Sequence, residues 1–138
     1  MRNEATTAEP NPPKRLLLVD DEDAIVIPMA GYFRRLGCVV FTTGSPDEAI
    51  DAIRAEPFDL CVVDLRLKPF DRGGLDVLAV LRAVQPSTPV IILSANVSAE
   101  SEEEARRLGV QTILRKPQPL PCVAQHALDL MKVGRDDD

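Results

Sequence analysis

The sequence has few cysteines, one histidine and no long apolar run, so it lacks the features that thiolate-metal, secreted and membrane proteins need. Its 138 residues include three cysteines and a single histidine. No apolar run approaches the ~18 residues of a membrane helix, which excludes a membrane span. The first residues, MRNEATTAEPNPPKR, contain no apolar segment, which also excludes a secretory signal. We therefore expect a cytoplasmic protein.

The cysteines and the net charge exclude further classes. Cys38, Cys61 and Cys122 are odd in number, far apart and set among apolar residues, so we interpret them as reduced core thiols and not as a disulfide framework or a zinc site. The net charge of −6 argues against a protein that binds nucleic acid by electrostatic attraction. The length suits one domain. His126, in the last helical segment, is interpreted as a surface or half-buried helix residue.

Five short apolar runs alternate with longer amphipathic segments. The runs are LLLV (16–19), CVVF (38–41), LCVV (60–63), VIIL (90–93) and TIL (112–114). Each is rich in Val, Ile or Leu with little polar alternation, which is typical of parallel strands buried on both faces. The pattern predicts a (βα)5 protein of the α/β class, an open, doubly wound sheet of five parallel strands with helices on both faces.

Five helices are predicted between and after the runs. They cover about Asp23 to Leu36, a segment from Ser45 onward, Gly74 to Val84, about Ser98 to Leu108 with Gly109 as the stop, and about Leu120 to Lys132. Ser45 is predicted as an N-cap whose capping box Glu48 closes. Pro28 lies about one turn into the first helix, so that helix either starts late or bends. We expect residues 1–14 to form a flexible arm, 15–132 the domain and 133–138 an acidic tail.

Polar side chains follow four of the five apolar runs. They are Asp20 and Asp21 after the first run, Asp64 after the third, Ser94 after the fourth, and Arg115 and Lys116 after the fifth. Ligands of such sheets bind at the carboxyl ends of the strands. One of these residues alone would be an ordinary solvated loop residue, but the whole set indicates a functional site.

The chemistry of this set favours phosphoryl transfer. Three carboxylates at one edge repel each other unless a cation intervenes, and oxygen ligands without histidine or cysteine favour Mg²⁺. Lys116 adds a positive charge and Ser94 a hydroxyl. Asp64, which ends the central strand alone, is the natural phosphoryl acceptor, with Asp20 and Asp21 as metal ligands.

These residues resemble a known family, the receiver domain of two-component response regulators, in its single-domain, chemotaxis-regulator-like form. The LLLVDDED start, the VVDLRL strand, the LSA step and the RKP step occur in the family's order and spacing. The resemblance covers about residues 15 to 132 and implies a flavodoxin-like fold.

The resemblance also implies a role for each matching residue. Asp64 would be the phosphoacceptor, Asp21 a direct Mg²⁺ ligand, Asp20 a carboxylate acting through metal-bound water, and the backbone carbonyl of Arg66 the last protein ligand. Ser94 would turn inward onto the phosphoryl group, and Lys116 would pair with it. A cis peptide is implied between Lys116 and Pro117.

The implied function is a switch. A histidine kinase or phosphotransfer protein would donate the phosphoryl group, and the phosphorylated form would change its contacts with a downstream protein. No external substrate would be turned over, so we do not expect an enzyme in that sense. The chain would be a monomer or a weak homodimer.

The sequence departs from the family pattern in three places. Ile113 stands where the family has the Tyr or Phe that moves with the switch hydroxyl. The loop after Asp64 is longer and carries Arg66, Lys68 and Arg72, which we expect beside the phosphate site. The longer loop is either ordinary loop variation or functional, and the functional hypothesis is that Arg66 shields the acyl phosphate from water. No output domain follows the last helix, so we expect a stand-alone receiver unless the chain is a fragment.

Glu102 to Glu104 lie at the start of a predicted helix, where negative charge favours the helix dipole, and they are expected to need no partner.

Two alternatives remain open at this point, and two others are disfavoured by particular residues. The chain could be a phosphorelay intermediate or phosphate sink, or a degenerate receiver that is not phosphorylated. A haloacid dehalogenase-type phosphatase would need an aspartate at position 66, where this chain has Arg66. A flavodoxin-like FMN binder would need a phosphate-binding loop after the first strand, where this chain has Asp20 and Asp21.

Overall fold

The computed structural model describes residues 12–67 and 72–133, in which five strands alternate with five helices. The strands are β1 (Arg15–Val19), β2 (Val39–Thr43), β3 (Leu60–Val63), β4 (Val90–Ser94) and β5 (Thr112–Arg115). The helices are α1 (Asp23–Arg35), α2 (Pro46–Ala55), α3 (Gly73–Val84), α4 (Ala99–Arg107) and α5 (Leu120–Val133). The residues expected to form the arm and tail lie outside the described ranges, except for 12–14 and 133.

The strands form one parallel sheet in the order β2-β1-β3-β4-β5. This confirms the (βα)5, doubly wound α/β fold. β2 extends to Thr43, two residues beyond the predicted run, because Thr42 and Thr43 continue the pairing with Leu18 and Val19 of β1. Residues that are polar can therefore still extend a strand at the edge of the sheet.

Alternate strand residues contact helices on opposite faces of the sheet. On one face Leu17, Cys61 and Ile92 pack in a cluster with residues of α2, α3 and α4. On the other face Leu16 and Val62 pack with residues of α1 and α5. The apolar runs lacked polar alternation because both faces of the sheet are covered.

The three cysteines carry no disulfide, as expected. Cys61 is fully buried in β3, and desolvation by burial raises the pKa of its thiol to about 12, although the charge of Arg82 opposes the shift. Cys61 is therefore a protonated packing residue at neutral pH.

The helices start close to the predicted residues, but some of the predicted local features differ. α1 begins at Asp23 and continues through Pro28, so the late-start alternative is wrong. Pro28 is exposed and removes only one backbone hydrogen bond.

The N-terminus of α2 is capped as predicted on one side only. Ser45 Oγ accepts the Glu48 backbone N–H at 3.2 Å, but the predicted reciprocal bond is wrong. The Glu48 carboxylate accepts the Thr43 hydroxyl instead, and the Ser45 N–H donates to Thr43 Oγ1.

α4 has the complete capping box that α2 lacks. Ser98 Oγ accepts the Ser101 N–H at 3.0 Å, and Ser101 Oγ accepts the Ser98 N–H at 2.9 Å. The predicted stop at Gly109 is confirmed by its positive φ of 88°, a conformation that glycine adopts without strain.

Candidate functional site

The predicted strand-end residues meet at one edge of the sheet. β1 and β3 are neighbours with Val19 opposite Val63, so Asp20 and Asp64, the next residues, lie side by side. Ser94, the last residue of β4, is paired with Arg115 of β5, and the Lys116 N–H donates to the Ser94 carbonyl at 3.0 Å. The parallel order β1-β3-β4-β5 thus presents these side chains to one pocket.

Lys116 is the centre of the charge network. Its Nζ lies 2.9 Å from Asp20 Oδ2, 2.8 Å from Glu22 Oε1 and 2.9 Å from Asp64 Oδ2. The Lys116 side chain is only 9% exposed. Desolvation by burial lowers the pKa of its ammonium, but the hydrogen bonds to Glu22, Asp64 and Asp20 together raise it above the usual value. Lys116 is therefore a fixed positive charge at neutral pH.

Asp64 is buried and has both of its carboxylate oxygens engaged. Ser94 Oγ donates to Asp64 Oδ1 at 2.6 Å, and the Arg66 backbone N–H donates to the same oxygen at 3.2 Å. Lys116 Nζ donates to Oδ2 at 2.9 Å. The three donors fix the orientation of the carboxylate, and Ser94 already points toward it.

The carboxylates fit the donor set of a hard divalent cation. Asp20, Asp21 and Asp64 each offer an oxygen, and the three ligand atoms lie within 4.8 Å of one another. Desolvation raises the pKa of Asp20, a shift opposed by the Glu22 N–H and by Lys116. Lys116 supplies one positive charge against these carboxylates, so a bound cation would relieve the remaining repulsion. An all-oxygen set of this kind suits Mg²⁺. The Arg66 carbonyl as a further ligand stays a prediction.

Helix α3 begins directly against the acceptor residue. The Gly74 N–H donates to the Leu65 carbonyl at 2.9 Å. A Cβ at Gly74 would overlap the Asp64 carbonyl oxygen and crowd Leu65 Cα. Glycine at this position is therefore what permits the start of α3 to approach the backbone of Asp64 so closely.

Sequence reasoning missed Glu22 and Gly74 as site residues. Glu22 follows the acidic pair directly, and its place in the DDED string was the available signal. The cis peptide between Lys116 and Pro117 is present, as the resemblance implied.

Some expected neighbours lie elsewhere. The expectation for Arg72 is wrong: its guanidinium pairs with Glu104 of α4 at 2.6 Å. Arg66 is exposed and lines an open cavity of about 530 Å³ with Ala95, Asn96 and Ser98, so its shielding role stays a prediction. Lys68 lies outside the described residues. Ile113 is half-buried and packs against the cluster under α2, α3 and α4.

Glu102 to Glu104 of α4, which were expected to need no partner, each form an ion pair. Glu102 pairs with Arg106 and Glu103 with Arg107, each one helical turn apart, while Glu104 pairs with Arg72. Within the described ranges, no helix is long and apolar enough to cross a membrane.

Comparison with protein families gives an extended match. The family model described as the response regulator receiver domain matches residues 16–127. The chain is 37% identical over 103 residues to the alginate biosynthesis transcriptional regulatory protein AlgB of Pseudomonas aeruginosa, covering 75% of this chain and 22% of AlgB. It is 32% identical over 121 residues to the sensory/regulatory protein RpfC of Xanthomonas campestris pv. campestris, covering 85% of this chain and 16% of RpfC. The chain thus spans less than a quarter of either relative.

Solved structures give the same result. The receiver domain of the Francisella response regulator 1452 superposes with a TM-score of 0.77 at 28% identity, over 88% of this chain and 99% of that one. A CheY-like receiver domain protein from Methanospirillum hungatei JF-1 superposes with a TM-score of 0.85 over 91% of this chain and 99% of that one. At 21% identity, the second likeness shows the fold alone.

Proposed function

The chain belongs to the response regulator receiver domain family, and from that premise we propose that it accepts a phosphoryl group on Asp64 with Mg²⁺ as cofactor. One observation carries the proposal. The buried Asp64 carboxylate is held between the Ser94 hydroxyl and the Lys116 ammonium, beside the carboxylates of Asp20 and Asp21. These groups supply an oriented nucleophile, positive charge and ligands for a cation.

The reaction is a transfer from a phosphorylated histidine of a kinase or phosphotransfer protein. An Asp64 oxygen forms a bond to phosphorus as the phosphorus–nitrogen bond of the donor breaks. The electron pair of the broken bond stays on the imidazole nitrogen, and a donor ring that carries a proton on its other nitrogen leaves as neutral imidazole. Bound Mg²⁺ would supply positive charge that offsets the repulsion between carboxylate and phosphoryl oxygens. Lys116 remains beside the acceptor and donates hydrogen bonds to the new group.

On this proposal, the protein is a switch and not an enzyme that turns over an external substrate. A phosphoryl group on Asp64 replaces one negative charge by about two and gives the Ser94 hydroxyl a new acceptor. Ser94 ends β4 and Ile113 lies in the neighbouring strand β5, so we propose that they transmit the change to the surface that a downstream protein or domain contacts. The proposed setting is the cytoplasm, which agrees with three unpaired cysteines.

Intact-mass measurement after incubation with Mg²⁺ and acetyl phosphate tests the proposal. We expect one phosphoryl adduct in the wild type and none in Asp64→Asn, because the amide is not a nucleophile for phosphorus. EDTA should also prevent the adduct. The matched control is Asp59→Asn. Asp59 directly precedes the same strand at its opposite end, where its carboxylate accepts the Arg15 N–H at 2.8 Å, so this variant should still form the adduct.

Two outcomes would contradict the proposal. An adduct that persists in Asp64→Asn would mean that another residue is the acceptor. A wild type that takes no phosphoryl group from acetyl phosphate or from a phosphorylated phosphotransfer protein would favour the degenerate receiver.

A further inference from the structure

Glu22 binds the same ammonium group as the two buried aspartates of the site. A lysine ammonium has three protons to donate, and the three acceptors of Lys116 are Asp20, Glu22 and Asp64. Of these acceptors, Glu22 alone lies outside the cluster of carboxylates that could hold a cation. Its contact with Lys116 spans 94 positions of the chain and joins the start of α1 to the end of β5.

The local structure of Glu22 directs its side chain to this contact. Glu22 is the N-cap residue of α1, yet its side chain makes no capping hydrogen bond. Its backbone N–H donates to Asp20 Oδ1 at 2.9 Å, and its carbonyl accepts the Val26 N–H at 3.0 Å. The backbone of Glu22 is thus fixed on both sides, and its carboxylate reaches Lys116 and not the helix end.

Phosphorylation and cation binding would affect the three acceptors of Lys116 differently. On the proposed function, Asp64 becomes an acyl phosphate and Asp20 serves the cation, so both change their interaction with Lys116. Glu22 is 50% exposed and takes part in neither event. It is the partner that can hold the Lys116 ammonium in place before and after the transfer.

We infer that Glu22 is a positioning residue, which holds the Lys116 ammonium over Asp64 and thereby speeds phosphorylation. The inference rests on the proposed function. Glu22 touches neither the acceptor nor the phosphoryl group and acts only through Lys116. Without it, the long lysine side chain can leave the pocket toward solvent, and the ordering of that side chain must then accompany each transfer.

The first measurement is independent of phosphorylation. Lysines are acylated with a water-soluble N-hydroxysuccinimide acetate, and the extent of reaction at Lys116 is read by peptide mass spectrometry relative to the exposed Lys132. In Glu22→Ala, we expect Lys116 to react about 3- to 10-fold faster, the factor that a solvent-screened hydrogen bond between charged groups contributes. In Glu22→Gln, where the amide oxygen still accepts, we expect a rate within about twofold of the wild type.

The second measurement is the rate of adduct formation with Mg²⁺ and acetyl phosphate. We expect Glu22→Ala to be about 3-fold slower or more, with Glu22→Gln recovering most of the rate. The matched control is Asp23→Ala, which removes the same charge one residue later, at the exposed first position of α1. It should change neither the labelling nor the rate.

The outcomes separate the two hypotheses. Unchanged Lys116 labelling in Glu22→Ala, an equal effect in Asp23→Ala, or faster labelling with no slowing of phosphorylation would each overturn the positioning role. A wild type that forms no adduct would instead remove the proposed function, whatever the labelling shows.

Discussion

The two helices beside the acceptor pocket are held by different forces. α3 buries six residues: Gly73, Gly74, Leu75, Val77, Leu78 and Leu81. α4, all nine residues of which the structure describes, buries only Ala105. It is also held by the capping box, by three ion pairs made by Glu102, Glu103 and Glu104, and by hydrogen bonds from Arg106 to the Gln111 carbonyl and from Arg82 of α3 to the carbonyl of its C-cap Leu108.

This difference matters because the two forces respond differently to a new charge. Burial of apolar surface is insensitive to charge and costs free energy to undo, whereas exposed ion pairs contribute little and are screened by salt. We therefore expect the α3 side of the pocket to stay fixed and the α4 side to yield when the charge on Asp64 changes. Ser94, at the end of β4, leads directly into the α4 side.

The largest effect is expected where α3 packs against the acceptor. Gly74→Ala should lower the free energy of unfolding by about 3 kcal/mol, the upper range for an overpacked site. The added Cβ would meet the Asp64 carbonyl oxygen and Leu65 Cα, which are backbone atoms and cannot rotate away. Urea denaturation measures the loss.

Gly31→Ala is the matched control for that substitution. Gly31 lies within α1, where a Cβ would meet only the flexible end of Arg35 at 3.5 Å. Alanine favours helix over glycine, so this variant should gain roughly 0.5–1 kcal/mol. If Gly74→Ala were as stable as the wild type, the start of α3 would not be fixed by packing, and the contrast with α4 would fail.

A smaller effect is expected from the charges in the pocket between the two helices. Desolvation raises the pKa of Asp20, so the folded protein binds a proton more readily than the unfolded chain. The charged form therefore costs stability at neutral pH, and this cost disappears as the pH falls through the raised pKa toward the ordinary pKa of an aspartate, 3.8. In EDTA, Asp20→Asn should be more stable than the wild type at pH 7 and should lose this advantage in acid.

Mg²⁺ should reverse the order of the two proteins. At ten times the dissociation constant, a bound ion adds about 1.4 kcal/mol to the free energy of unfolding of the wild type. Asp20→Asn should gain less because its amide carries no charge for the cation. Thermal denaturation with EDTA and with Mg²⁺ measures both, and an equal gain in the variant would show that Asp20 does not serve the cation.

The sequence predicted the fold and the core of the site for the same physical reason. Apolar runs without alternation require a sheet covered on both faces, and parallel strands bring their carboxyl ends to one edge. The side chains of Asp20, Asp64, Ser94 and Lys116 therefore had to meet there. That argument needs only parallel strands; which of the side chains are neighbours depends on the spatial order of the strands, which the runs did not predict.

Contacts set by side-chain direction were not predictable in this way. Glu22 could have capped α1 and binds Lys116 instead, because its backbone is held by Asp20. Arg72 was expected beside Asp64, but it pairs with Glu104, 32 positions later in the chain. Both outcomes depend on how α1, α3 and α4 are placed on the sheet, which hydrophobic periodicity does not fix.

The smallest effect, and the most specific test of the α4 side, concerns the Arg72–Glu104 pair. Both side chains are exposed, with the shortest contact at 2.6 Å, so Arg72→Gln should leave the unfolding midpoint in urea unchanged. Amide hydrogen exchange should still respond, because this pair is the ionic contact that ties α4 to the start of α3. We expect exchange in α4 to be faster than in α3 already in the wild type, and faster again in the variant, with α3 unaffected.

Arg107→Gln separates this link from helix stability in general. Arg107 pairs with Glu103 inside α4, so its loss weakens the helix without releasing it from α3. If exchange in α4 rose equally in both variants, the link across the two helices would add nothing beyond helix propensity. If only Arg72→Gln raised it, the screened ion pair would hold α4 in place together with a small buried patch and the hydrogen bond from Arg82 to the Leu108 carbonyl. We expect one added charge on Asp64 to shift a helix held in that way more readily than α3, which packs on the acceptor's own backbone.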